Sequence, residues 1–211
     1  MSRTDEISVG VDTALGRPQN GKAQRTFDLL VVAARDQMAA AGAFSTEQVA
    51  TRAGVAPATL YTYFSTKDDL VAAAFDRVLA DLNGRITATL TIERLLDDGL
   101  AAVVSAAVAS TVEGFRRDAL VFRLALARLP EHRLIRDVYR AREDEGFQML
   151  RRFVELGTAA HKIRHTDRDV LAGVLLVVLQ GCNNHHLLTS PRGDEVAKSL
   201  ALSLAAALAP A

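Results

Sequence analysis

An all-α fold follows from three features of the sequence. Apolar residues recur at three- and four-residue steps. The strict polar–apolar alternation of a half-buried strand is missing. Only five prolines interrupt 211 residues rich in alanine and leucine, both good helix formers. Taken in order, residues 1–21 contain Gly10, Gly16, Pro18, Asn20 and Gly21 without an apolar period, and read as a flexible tail. A first helix is predicted at about Ala23–Ala41 from the spacing of Phe27, Leu30, Ala34, Met38 and Ala41, with Gly42 closing it. Ser45 or Thr46 caps a short second helix that Gly54 ends, and Pro57 suits the first turn of a third helix reaching Phe64. A fourth begins after Ser65 or Thr66, with Asp68 and Asp69 where carboxylates suit the helix dipole, and reaches about Leu90. Five more, at about Ile92–Ser110, Val112–Arg128, His132–Leu156, Asp167–Leu188 and Asp194–Leu208, bring the number to about nine.

Composition narrows the class. Apolar residues make up 49% of the chain, ample for a packed core. The 25 Lys and Arg are balanced by 25 Asp and Glu, so no global positive field attracts phosphate. The single cysteine, Cys182, forms no intrachain disulfide, which suits a reducing cytosol. The longest apolar run, Val170–Leu179, falls short of the roughly 18–20 residues a membrane helix needs. Asp5, Glu6 and Asp12 stand where a signal peptide would be basic and then apolar. A cytoplasmic protein with no membrane partner is expected.

The stretch Phe44–Leu70 carries the most information. Two short helices around a turn with Gly54 have the spacing of a helix-turn-helix. Val49, Ala50 and Ala53 form one apolar side, and Leu60 and Phe64, four apart, form another. Both can pack on the first helix. That leaves Ala58, Thr59, Tyr61, Thr62 and Tyr63 on the outer face of the third helix, with no acid among them. Such a surface can enter a major groove, where methyl groups touch thymine and hydroxyls reach bases or phosphates, although Tyr61 suits packing equally well. Thr46, at a helix N-terminus, offers a hydroxyl and free N–H groups to a phosphate, and Lys67 adds a point charge.

The order Thr46-x-x-Val49-Ala50-x-x-Ala53-Gly54-Val55, then Thr59-Leu60-Tyr61-x-Tyr63-Phe64-x-x-Lys67 and Asp69-Leu70, resembles the DNA-binding domain of TetR-type transcriptional repressors over about Thr26–Phe75. The resemblance implies that Thr46, Tyr63 and Lys67 touch phosphates. It implies that Pro57, Ala58, Thr59, Tyr61 and Thr62 face the groove, and that the last two helices form a homodimer. Two features depart from the simplest expectation. Residues 1–70 hold seven basic and eight acidic side chains, and the recognition helix lacks the Arg, Lys, Gln and Asn best suited to bidentate base readout. An arm of Arg17, Lys22 and Arg25 reaching phosphates is one way to supply the missing charge.

Downstream of about Asp76 no catalytic or metal-ligating constellation is found, and no cofactor is expected. His161 and His165 have a metal pair's spacing but sit in a polar connection. Adjacent His185 and His186 diverge on a helix. Cys182 on an apolar helix reads as a small buried hydrophobe. The arginine-rich stretch Arg116–Arg152 is read as a salt-bridged helix exterior in preference to a second nucleic-acid surface. Phe115, Phe122 and Phe147, with the polar Gln180, Asn183 and Asn184, are candidates to line an effector pocket. Leu171, Leu175 and Val178, with Leu200, Leu204 and Leu208, are candidates for a two-helix face that a two-fold axis doubles into a four-helix bundle.

The expected organisation is therefore a tail at 1–21, an N-terminal three-helix helix-turn-helix DNA-binding domain at 22–68, and a larger helical-bundle domain at 69–211 for ligand binding and dimerisation. The expected function is a ligand-responsive repressor, a homodimer on a palindromic double-stranded operator, released by a small, apolar effector. The rival readings are a helical small-molecule-binding protein without DNA binding, or a small helical enzyme.

Overall fold

The computed structural model describes residues 15–210, and most of the tail expected at 1–21 lies outside them. The fold is all-α. Eleven helices occur among the described residues: α1 (Gly21–Ala41), α2 (Thr46–Ala53), α3 (Pro57–Tyr63), α4 (Lys67–Thr89), α5 (Ile92–Asp97), α6 (Leu100–Arg117), α7 (Ala119–Leu126), α8 (Arg133–Ala159), α9 (Arg168–Gly181), α10 (His185–Thr189) and α11 (Gly193–Leu208). They group into two compact units. One holds the residues up to Ala80 together with Asp118–Glu143, and the other Asp81–Arg117 and the residues from Asp144 onward. Helices α4 and α8 each contribute to both.

Three expected helices are broken and the expected boundary near Thr111 is absent, since α6 runs through it, which raises the number from about nine to eleven. The stretch at 92–110 is interrupted at Gly99, whose φ of 84° is readily adopted only without a Cβ. The helix expected across Val112–Arg128 stops at Arg117 because Asp118 leaves helical geometry (φ −108°, ψ 18°). Nothing local explains that break. Asp118 is buried and accepts from both Arg35 Nε (2.9 Å) and Nη2 (2.8 Å), an ion pair between residues 83 apart. The helix expected at 167–188 ends at Gly181, and Asn184 starts α10 by accepting the His186 N–H (2.9 Å).

In the first unit the local chemistry reads cleanly. Asn20 caps α1 through the Ala23 N–H, and Gly42 ends it at φ 67°. Ser45 caps α2 through the Gln48 N–H, and Gly54 ends it at φ 71°. Thr66 and Asp69 cap α4 reciprocally, each side chain accepting the other's backbone N–H (3.1 and 2.8 Å). Phe27 is the hub, its ring 5.0 Å from Phe64 and edge-on to Tyr63 at 6.3 Å. Farther along α4, Phe75 meets Phe122 edge-on (5.5 Å) and stacks on Tyr139 (6.3 Å). Burial and the nearby Glu143 charge push the Tyr139 hydroxyl above its ordinary pKa, so it stays neutral.

The second unit packs α11 along α6. Arg116 fastens the α10–α11 junction, donating to Asp194 (2.7 Å) and to the Leu187 carbonyl (2.9 Å). Gly193 lies so close to that carbonyl that a Cβ there would collide with it. Gly193→Ala is therefore expected to cost about 1–3 kcal/mol, through the backbone shift that overpacking forces. Thermal unfolding followed by circular dichroism would show the loss as a lowered midpoint.

Candidate nucleic-acid interface

Helices α2 and α3 with the Gly54 turn between them form the helix-turn-helix. Val49, Ala50, Leu60 and Phe64 are fully buried, each at most 1% exposed, so the apolar sides pack inward as their spacing predicts. Pro57, Ala58, Tyr61, Thr62 and Lys67 are exposed, and Thr46, Thr59 and Tyr63 are half-buried. All eight predicted DNA-facing residues thus reach the surface, seven on α2 and α3 and Lys67 at the start of α4.

Their hydrogen bonds sort them. The hydroxyls of Thr46 and Tyr61 are 3.0 Å apart, which ties the N-terminus of α2 to the outer face of α3. Thr62 donates back to the Ala58 carbonyl of its own helix (3.3 Å). Lys67 donates to the Phe44 carbonyl (2.6 Å), with its ammonium 4.4 Å from the centre of the Phe44 ring. The lysine is thereby held in place beside Thr46, and Phe44 is a positioning residue that the sequence did not single out. Glu47 follows Thr46 in the first turn of α2. Its carboxyl is held below the usual range, first by its own backbone N–H and then by the Ser45 hydroxyl, so it stays ionised.

The arm expected from Arg17, Lys22 and Arg25 needs correction. Arg17 is drawn inward, 3.4 Å from the fully buried Asp76 and 5.8 Å from the Phe27 ring centre. A guanidinium engaged on a buried carboxylate is not a free phosphate ligand. Lys22 and Arg25 remain exposed.

The remaining candidates lie elsewhere. Phe122 packs on Phe75 in the first unit. Phe115 is buried and Phe147 half-buried in the second. Gln180 and Asn183 are half-buried, and exposed Asn184 serves as the α10 cap. None of the six lines the groove of about 390 Å³ along α6 and α11, which is formed by residues including Val108, Val112, Glu113, Asp194, Lys198 and Ala201. Leu171, Leu175, Leu204 and Leu208, expected at a dimer face, are already buried (at most 8% exposed) within the chain, and Val178 and Leu200 are half-buried. Among the described residues no group of three His, Cys, Asp or Glu could hold a metal ion, and no helix is long and apolar enough to cross a membrane. Burial pushes the Cys182 thiol up to about 11, so it is not a thiolate at neutral pH.

Residues 30–74 match the family model of bacterial regulatory proteins of the tetR family. That segment belongs to the tetR family of bacterial regulatory proteins. Solved structures share its fold. A TetR transcription regulator from Haloarcula marismortui has a TM-score of 0.70 at 18% identity, covering 87% of this chain and 98% of that one. A transcriptional regulator from Rhodococcus sp. Rha1 gives 0.64 at 22%, covering 86% and 95%. A TetR-family transcriptional regulator from Thermus thermophilus gives 0.59 at 17%, covering 84% and 96%. No curated protein matches. The matched segment contains the helix-turn-helix, the DNA-binding element of that family, and holds all eight surface residues named above.

Proposed function

We propose that this TetR-family regulator is a homodimeric repressor that grips a palindromic operator and lets go when a small effector binds. The observation that carries the reading is the outward face of α3, with no acid on it, beside the tethered Thr46 and Lys67. Thr59, Tyr61 and Thr62 face the bases, with Pro57 and Ala58 against thymine methyls, while Thr46, Tyr63 and Lys67 hold phosphates. Two such helices must stand roughly 34–36 Å apart to enter successive major grooves.

Dimerisation falls to α9 and α11, through a different stripe from the one first expected. Val170, Val174 and Val177 are 64%, 45% and 67% exposed along one face of α9, and Leu202 is 62% exposed on α11. A row of bare valines four and three residues apart is costly in water and fits a second copy of itself. The effector binds in the second unit. Phe115 and Phe147 remain candidate lining residues, as do the walls of the α6–α11 groove. Release requires that the effector prefer the conformation in which the recognition helices miss the grooves. Helix α4 is the lever, running unbroken from Lys67 past Gly84 to Thr89.

The test is an electrophoretic mobility shift on DNA upstream of the protein's own gene, followed by thermal-shift screening of metabolites and a repeat shift with the hits. Wild type is expected to retard that DNA and Thr59→Glu to lose retardation, because a carboxylate would face the groove floor. Equal retardation by both, or none by wild type, overturns the reading.

A further inference from the structure

The contiguous helix-turn-helix sequence lacks the positive charge that DNA binding uses, and the fold supplies it from elsewhere. Residues 15–80 hold seven basic and six acidic side chains. The same compact unit takes in Asp118–Glu143, which brings six arginines against four acids. The net charge thus rises from +1 to +3 over the described residues, and from −1 to +1 when residues 1–14 are counted, and the added charge is not spread evenly. Within the unit α8 lies along α4 in the same direction: His132 is 3.9 Å from Asp69, Tyr139 stacks on Phe75, and Arg142 clasps Asp76. The turn before α8 therefore sits at the Lys67 end of α4.

Arg128 in that turn donates to Asp68 (2.8 Å), the residue after Lys67, and so neutralises a carboxylate that would otherwise repel a phosphate held there. Arg136 donates to the carbonyls of Leu129 and Pro130 (2.9 and 3.0 Å) and fixes the turn's shape. Arg133, the first residue of α8, is then projected outward, its side chain 88% exposed and its Nε 3.4 Å from Asp137.

We infer that the Arg128–Arg133 turn is a second DNA-backbone contact, in which Arg133 binds a phosphate next to the one held at Lys67 while Arg128 masks Asp68. The contact extends the operator footprint along the backbone without reading sequence. It rests on the DNA-binding reading above.

The experiment measures binding as a function of salt, using a duplex selected by the purified protein from a random-sequence pool and an unselected duplex of equal length. Arg133→Ala is compared with wild type and with Arg192→Ala, an exposed arginine of the second unit paired with Glu195. Loss of one phosphate contact lowers the slope of log K against log salt by about 0.9. Arg133→Ala is expected to show that drop and to weaken both duplexes by the same factor, while Arg192→Ala matches wild type. If Arg133→Ala and Arg192→Ala give the same slope, the inference is overturned. Failure of wild type to select any sequence would instead remove the DNA-binding reading beneath it.

Discussion

Val177→Glu is expected to convert the proposed dimer to a monomer that no longer retards operator DNA. The argument is one of symmetry. In a two-fold interface each residue occurs twice, so one substitution buries two carboxylates. Each loses hydration worth several kcal/mol with no partner in a row of valines. Since 1.4 kcal/mol is a factor of ten, even a modest cost per copy weakens self-association by about a thousandfold. Val177 is two-thirds exposed in the single chain, so the same change leaves the monomer's own packing intact. Leu171→Ala separates this stripe from the one the sequence pointed to. Leu171 is 8% exposed, so its truncation is expected to lower stability by about 2–5 kcal/mol while the dimer persists. Sedimentation velocity reads the first effect and thermal unfolding the second. A Val177→Glu protein that still sediments as a dimer would rule out α9 as the interface.

The contrast shows where the sequence was legible. The three N-terminal helices could be read because their signals are local: a cap at Ser45, a turn glycine at Gly54, a first-turn proline at Pro57, and Leu60 and Phe64 four apart. Ala58, Thr59, Tyr61, Thr62 and Tyr63 followed from the same periodicity, Thr46 and Lys67 from their places at helix starts, and Pro57 as a groove residue from the family resemblance alone. The face of α9 was harder, because Val170–Leu179 is apolar all round and a 3.6-residue period then has no polar side to fix its phase. The leucines that seemed suited to an interface went to the core, and the valines one position away were left outside. The membership of Asp118–Glu143 in the DNA-binding unit had no local signal at all. It rests on ion pairs between residues 60 to 83 positions apart, Arg128 with Asp68, Arg142 with Asp76 and Arg35 with Asp118. An Asp that ends a helix by pairing with an arginine five helices earlier looks, in sequence, like any other surface acid.

Arg142→Met is expected to be the most destabilising single change in the first unit. Asp76 has no exposed surface and receives 2.7 and 3.0 Å bonds from Arg142, against a single 3.4 Å contact from Arg17. Removing the bidentate partner leaves a buried carboxylate with the weaker one, and breaking a buried pair this way costs about 3–5 kcal/mol. For a chain of this size that lowers the unfolding midpoint by on the order of 10 °C. Methionine keeps most of the arginine's apolar stem, so the loss reports on charge and hydrogen bonds more than on volume. The double variant Arg142→Met with Asp76→Leu removes the stranded charge along with its partner, and is expected to recover most of the midpoint, since packed apolar residues often replace a buried pair at little cost. Because the two side chains touch, the double-mutant cycle should depart strongly from additivity. An additive cycle would mean that Asp76 and Arg142 act independently, and that α4 and the first half of α8 are held together by other contacts, the Phe75–Tyr139 stack among them.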